Sequence, residues 1–232
     1  MTSPNTPDNA RDAVLQAALP HVPFDGWSET TLRAAIPDSG VTEGLARALF
    51  PRGGIDLAVA FHQQGDARMR ETLVTTDLTQ MRFRDRIAFA IRTRLDLVED
   101  RELVRRGTTL FALPQHAAEG ARLIWGTADA IWTTLGDTTR DLNWYSKRAT
   151  LSAVYGSTVL YWLGDDTPGH QATWDFLDRR IADVMQIESL KAKLRENPLG
   201  KALLAGPAKV MEKWRVPTVP DDLPGKIMDR FR

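Results

Sequence analysis

The sequence predicts an all-α fold, on three observations. Apolar residues recur at steps of three and four along most of the chain, as on one face of a helix. No stretch of useful length alternates apolar and polar residues as a half-buried strand would. Proline, glycine and capping residues then cut the helical pattern into about nine to ten segments.

The segments follow in order. Thr6-Pro7 reads as an N-cap and first helical position, with Ala10, Val14, Ala17 and Ala18 at helical spacing and Pro20 as the stop. After the Gly26-Trp27-Ser28 turn, a short helix carries Leu32 and Ala35 and is expected to stop before Pro37. The Ser39-Gly40-Val41-Thr42 turn leads to a second short helix ending at Leu49, and a longer one covers roughly Asp56–Leu73. Phe83, Ile87, Ile91, Leu95 and Val98 form the stripe of the next helix, and Thr108–Pro114 reads as a loop or as the entry segment of the helix after it. From about Gln115 to Leu135, Ala121, Trp125, Ala128, Trp132 and Leu135 recur at steps of four and three, with Leu123, Ile124 and Ile131 off that stripe. So much apolar girth predicts a central, buried helix. Two more helices follow, one from about Asp141 to Leu163 and one carrying Trp174, Leu177, Ile181, Val184 and Met185.

The character changes at Ser189. Between there and Arg215 lie seven Lys/Arg and two Glu, interleaved with Leu199, Leu203, Val210 and Trp214, as in an amphipathic helix. Residues 1–75 form a helix-turn-helix-like part, 76–188 a helical core, and 189–232 the amphipathic helix and tail.

Composition limits what the chain can do. Its 232 residues suit one large helical domain or one domain with an appendage. A formal net charge of zero gives no global attraction to nucleic acid or anionic lipid. Without cysteine there is no thiolate nucleophile or disulfide. No apolar run reaches the ~20 residues that span a bilayer, and the first residues lack a secretory leader pattern. An intracellular protein is expected.

Candidate chemistry is sparse. His21, His62, His116 and His170 are far apart and lack metal-ligand spacing, so surface or internally satisfied histidines are expected. The carboxylates at Asp96/Glu99/Asp100/Glu102 and at Asp165/Asp166 read as solvated surface rather than acid/base pairs. Arg82–Arg106 holds eight arginines against five acids, which reads as a solvated helix with ion pairs before it reads as an anion-docking face. No nucleophile elbow, phosphate loop or dinucleotide fingerprint is present. A protein that is not an enzyme, with no cofactor and no metal, is the expectation.

Trp144 and Tyr145 are neighbours near a helix start, beside Lys147 and Arg148. Successive helical positions point about 100° apart, so at least one of the pair is expected near the surface. Periodicity leaves open whether they form an interaction hot spot or wedge into the core.

Two resemblances sharpen this. The two short helices between Gly26 and Phe50 resemble the helix-turn-helix end of the TetR regulator fold. There the second helix would enter the major groove, yet Glu43–Phe50 holds one arginine, one acid and a glycine, too little for DNA. The second resemblance rests on Gly136, Asp137, Asp141, Asn143, Trp144, Tyr145, Lys147, Arg148, Leu151, Tyr155 and Thr158, then Thr173, Trp174, Phe176, Leu177 and Arg180. Leu49-Phe50-Pro51, Gly53 and Asp56-Leu57 extend it. This pattern resembles the ubiquinone (coenzyme Q) biosynthesis accessory family, with mild departures at Leu135, Thr139 and Ser146.

That resemblance implies a TetR-like fold without DNA binding. It implies a bound isoprenoid lipid such as a ubiquinone precursor, with Trp125, Ile131, Trp132, Leu151, Tyr155 and Trp162 lining or flanking the pocket. It implies demethoxyubiquinone hydroxylase as partner, docked through Trp144 and Tyr145, with Arg148 supporting that patch or pairing with Asp137 or Asp141. It implies a membrane surface met by Leu199, Leu203, Val210 and Trp214, and hence a cytoplasmic protein peripheral at the inner membrane in a bacterium, or a matrix-side one in eukaryotic relatives. Packing of the amphipathic segment on the domain, or on a second subunit in a homodimer, is the alternative.

Overall fold

A computed structural model describes residues 6–137 and 142–196; the side chains it places are those of 6–137 and 144–186. These residues form ten α-helices and one 3-10 turn, and no strand among the described residues. The helices are α1 (Pro7–Ala18), α2 (Val22–Asp25), α3 (Glu29–Ser39), α4 (Glu43–Leu49), α5 (Gly54–Thr75), α6 (Phe83–Asp96), α7 (Arg101–Ala112), α8 (Ala117–Thr134), α9 (Leu142–Leu163) and α10 (Gln171–Glu196). The chain divides into two compact units, Met1–Ala182 and Asp183–Arg232, and the second is described only as the end of α10, residues 183–196.

In the first unit, α1 packs on α3, α5 lies against α6 and α8, and α8 against α9. The N-terminal core is apolar throughout: Val14, Leu15, Ala18, Val22, Trp27, Leu32, Ala35, Ala46, Phe50 and Leu57 are buried together. Thr6 caps α1 by accepting from the Asn9 amide, and Ser28 caps α3 by accepting from the Thr31 amide. The α3–α4 turn closes on Gly40 at φ +68°, a left-handed position that favours glycine. α5 then starts against the α2–α3 turn so tightly that a Cβ on Gly54 would lie 2.2 Å from the Ser28 nitrogen.

Several expectations need correction. Thr108–Ala112 is not loop but the end of α7. Gly107 and two threonines blur its pattern, yet Leu103, Val104, Leu110 and Phe111 share one helical face. Pro37 does not stop α3, which runs on to Ser39. Its missing amide falls in the last turn, where the Ser39 hydroxyl and the Gly40 amide supply bonds to Ile36 and Pro37 carbonyls. α2, four residues long, is too short for periodicity to reveal.

Two polar readings also change. Asp165 is buried, not solvated: it accepts from the amides and hydroxyls of Thr167 and Thr173. Those hydroxyls, then the amides, hold its carboxyl well below the usual carboxylate range. Arg94, one of the eight arginines expected on a solvated face, is buried and paired with Asp66 at 2.8 Å.

Candidate functional site

Two features stand out in the first unit: an apolar cavity and an aromatic patch. The cavity, about 460 Å³, lies among α5, α6, α7, α8 and α9. Its walls include Phe61, Leu103, Phe111, Ile124 and Val159, with Trp27 held in place by an indole bond to the Leu103 carbonyl. Small residues on the facing helices, Gly107, Ala121 and Gly156, line the space, while Gly120 seats Phe111, whose Cβ an added methyl would meet at 2.7 Å. Leu160 lines the cavity and is 63% exposed, which marks the mouth. The volume falls within the ~300–1,000 Å³ of small-molecule sites.

One end of the cavity is polar. His62, Arg94 and Tyr155 reach its lining. Behind them the Thr127 hydroxyl bonds Asp66, which pairs with Arg94, and lies 2.8 Å from His62 Nε2. Arg94 also donates to the His62 carbonyl. Burial pushes the His62 imidazole down to about 4, with Arg94 adding to the effect and Asp66 opposing it, so His62 is neutral at pH 7. Burial pushes the Tyr155 phenol up, so it stays a hydroxyl donor.

The aromatic patch joins α8 to α9. The Trp125 ring lies 5.9 Å from that of Trp144 and 6.4 Å from that of Tyr145, and Trp144 meets Tyr145 edge-on at 4.7 Å. Tyr145 is 62% exposed, while Trp144 is half-buried. Beneath them Arg148 is fully buried, stacked on Trp144 and bonded to Asp129 and Asp137. Lys147 pairs with Asp137 at 2.8 Å and lies over Trp132. Arg148 thus both pairs with Asp137 and stacks on Trp144; Asp141 lies outside the described residues.

The expected lipid-lining residues separate. Tyr155 faces the cavity. Ile131, Leu151 and Trp162 are buried in the helical packing, with Trp162 edge-on to His170. Trp132 packs on Phe83, and Trp125 belongs to the surface patch. The part of the cavity wall that α5 and α7 contribute lies outside the expected set. α7 read as charged, and the small residues that create the space carry no periodic signal. Leu199, Leu203, Val210 and Trp214 lie outside the described residues.

Residues 117–188, which hold the aromatic patch and the α8–α9 wall of the cavity, match the COQ9 family model. The chain is 32% identical over 188 residues to the mitochondrial ubiquinone biosynthesis protein COQ9 of Drosophila melanogaster, covering 79% of this chain and 57% of that protein. It is 30% identical over 201 residues to the COQ9 protein of Rattus norvegicus, covering 83% and 64%. The human protein is 29% identical over 83% of this chain and 62% of its own length. This chain thus spans less than two thirds of each of these three relatives. Among solved structures, a TetR transcriptional regulator from Nitrosomonas europaea superposes with a TM-score of 0.60 at 19% identity, covering 74% of this chain and 95% of that one. That likeness shows the fold, TetR-like and all-α.

Proposed function

The chain belongs with the COQ9 proteins of ubiquinone biosynthesis over the part of them that it spans, and from that kinship we propose that it is a non-catalytic, lipid-binding accessory protein of that process. It encloses an isoprenoid lipid, a ubiquinone precursor, and presents it to demethoxyubiquinone hydroxylase.

The observation that carries this reading is the cavity. An isoprenoid tail in water costs roughly 0.8 kcal/mol per exposed CH₂, so a very apolar substrate does not leave the bilayer unaided. A largely apolar space of about 460 Å³ with an exposed leucine at its mouth offsets part of that cost. No bond of the lipid needs to change for this role. Mass spectrometry of organic extracts of the purified protein tests it: a prenyl lipid should co-purify, and a consistently lipid-free protein would count against it.

Docking is assigned to the aromatic patch. Exposed Tyr145 and half-buried Trp144, the latter stacked on buried Arg148, have the character of an anchor: aromatic surface partly ordered before binding. Membrane contact through the segment after Ser189 completes the proposal, with the protein peripheral at the membrane that holds the quinone pool. The relatives above are named as mitochondrial, and among the described residues no helix is long and apolar enough to cross a membrane.

DNA regulation is the weaker reading. α4 carries one cation, Arg47, and that side chain is tied to Glu43 and Glu29 at 2.9 Å each. Neutralising several phosphates needs several such groups.

A further inference from the structure

The cavity is apolar along its walls but ends on a buried charged pair, which a container for hydrocarbon alone does not require. Arg94 is 3% exposed and lines the cavity. Its seat is cut to fit: a Cβ on Gly65 of α5 would lie 2.5 Å from the guanidinium carbon. Glycine inside a helix costs about 1 kcal/mol relative to alanine, so this position gives up helix stability and admits the cation. Arg94 uses Nε on Asp66 and Nη2 on the His62 carbonyl, out of five guanidinium N–H donors. Tyr155 lines the same end, with its hydroxyl against that of Thr127.

We propose that Arg94 and Tyr155 form a recognition end for a neutral, oxygen-bearing ring, so that the lipid lies with its ring oxygens against this pair and its tail directed toward Leu160. The inference rests on the enclosed-lipid reading above and adds to it the ligand's polarity, its charge and its direction.

Charge decides between acceptors. The Arg94 cation is already balanced by Asp66, and His62 is neutral because burial pushes it down. A carboxylate or phosphate would therefore bring an uncompensated negative charge beside the Asp66 carboxylate, in a low-dielectric place where such repulsion is strong. A quinone carbonyl or a phenol oxygen takes the same donors without added charge. A pure hydrocarbon uses none of them and leaves the polar end unoccupied.

Equilibrium binding to the delipidated full chain tests this with three probes that share one farnesyl tail: a farnesylated benzoquinone, a farnesyl hydrocarbon and farnesyl monophosphate. The quinone should bind about tenfold tighter than the hydrocarbon, as one or two well-made hydrogen bonds allow, and tighter than the monophosphate. Tyr155→Phe, which keeps the ring and its packing, should narrow the quinone advantage and leave hydrocarbon affinity unchanged. The double variant Asp66→Asn/Arg94→Met, neutral overall, should abolish that advantage. Equal binding of quinone and hydrocarbon by the wild type, or preference for the monophosphate, would overturn the proposal while leaving an enclosed lipid intact. So would a quinone advantage that survives both variants. Failure of all three probes to bind would remove the enclosed-lipid reading itself.

Discussion

The Arg148 guanidinium lies 4.0 Å from the centroid of the Trp144 ring, and the same group bonds Asp129 and Asp137. A buried cation therefore holds an aromatic side chain at the surface, and through Asp137 it ties the end of α8 to the start of α9. On the proposed reading, support falls to Arg148 and partner contact to Trp144 and Tyr145.

Substitutions should separate them. Arg148→Met leaves the buried Asp137 carboxylate with less compensation and should destabilise by about 3 kcal/mol, as removal of one partner from a buried pair does. Tyr145→Ala, at an exposed position, should change stability by less than about 0.5 kcal/mol. Trp144→Ala and Tyr145→Ala should both weaken capture of demethoxyubiquinone hydroxylase in a pull-down. Urea unfolding read beside the pull-down distinguishes the two effects, and undiminished capture by both variants would remove the patch as anchor.

His62 makes stability depend on pH. Its folded-state value of about 4 lies below the ordinary ~6.5 of an unfolded histidine. Between those values the unfolded chain binds the extra proton, so stability falls as pH drops from 6.5 to 4 and is unaffected by this group above that window. The loss is on the order of 3 kcal/mol if His62 alone contributes. His62→Gln should flatten that part of the curve, and the imidazole signals of His62 should stay those of the neutral ring at pH 6.

Gly54 fixes the approach of α5 to the α2–α3 turn, from which Trp27 reaches the cavity wall. Gly54→Ala should destabilise by about 2 kcal/mol, since the added methyl meets backbone rather than a movable side chain. A thermal melt checks this. Gly44→Ala is the control, because nothing lies within 4 Å of its added Cβ.

The helices with one strong apolar stripe were legible in the sequence. The stripe from Phe83 to Val98 spans α6 and ends just past it, and the span from about Gln115 to Leu135 matches α8 within a residue or two at each end, because burial of one face is written at each turn. α7 was not, because Gly107, Thr108 and Thr109 interrupt a face that is completed only by neighbours in space. The aromatic patch could be read as far as one exposed ring, and the structure adds that Tyr145 is that ring. The cavity could not be read. It arises where Gly107, Ala121 and Gly156 from three helices line one space, and where α5 contributes Phe61 and His62, and no local pattern encodes an absence of side chains. The Asp66–Arg94 pair, 28 residues apart in sequence, was hidden for the same reason.

The segment after Ser189 carries the membrane expectation. Each Lys or Arg near an anionic surface contributes roughly 1 kcal/mol, so seven of them with interleaved leucines should hold the protein on vesicles and release it at high salt. A chain truncated after Ser189 should no longer float with phosphatidylglycerol vesicles. Flotation equal to that of the full chain would place the membrane contact elsewhere.

Filling the cavity tests the central claim most directly. Gly156 sits on α9 at the lining, and its added Cβ would meet only Ile124 Cδ1, at 3.7 Å. Gly156→Leu should therefore fold, gain helix propensity and occupy the space meant for the ligand. Native mass spectrometry of the two proteins from the same host should show one prenyl lipid per wild-type chain and none on the variant. A wild-type chain without lipid, or a folded Gly156→Leu chain that carries the same lipid load, would contradict the account.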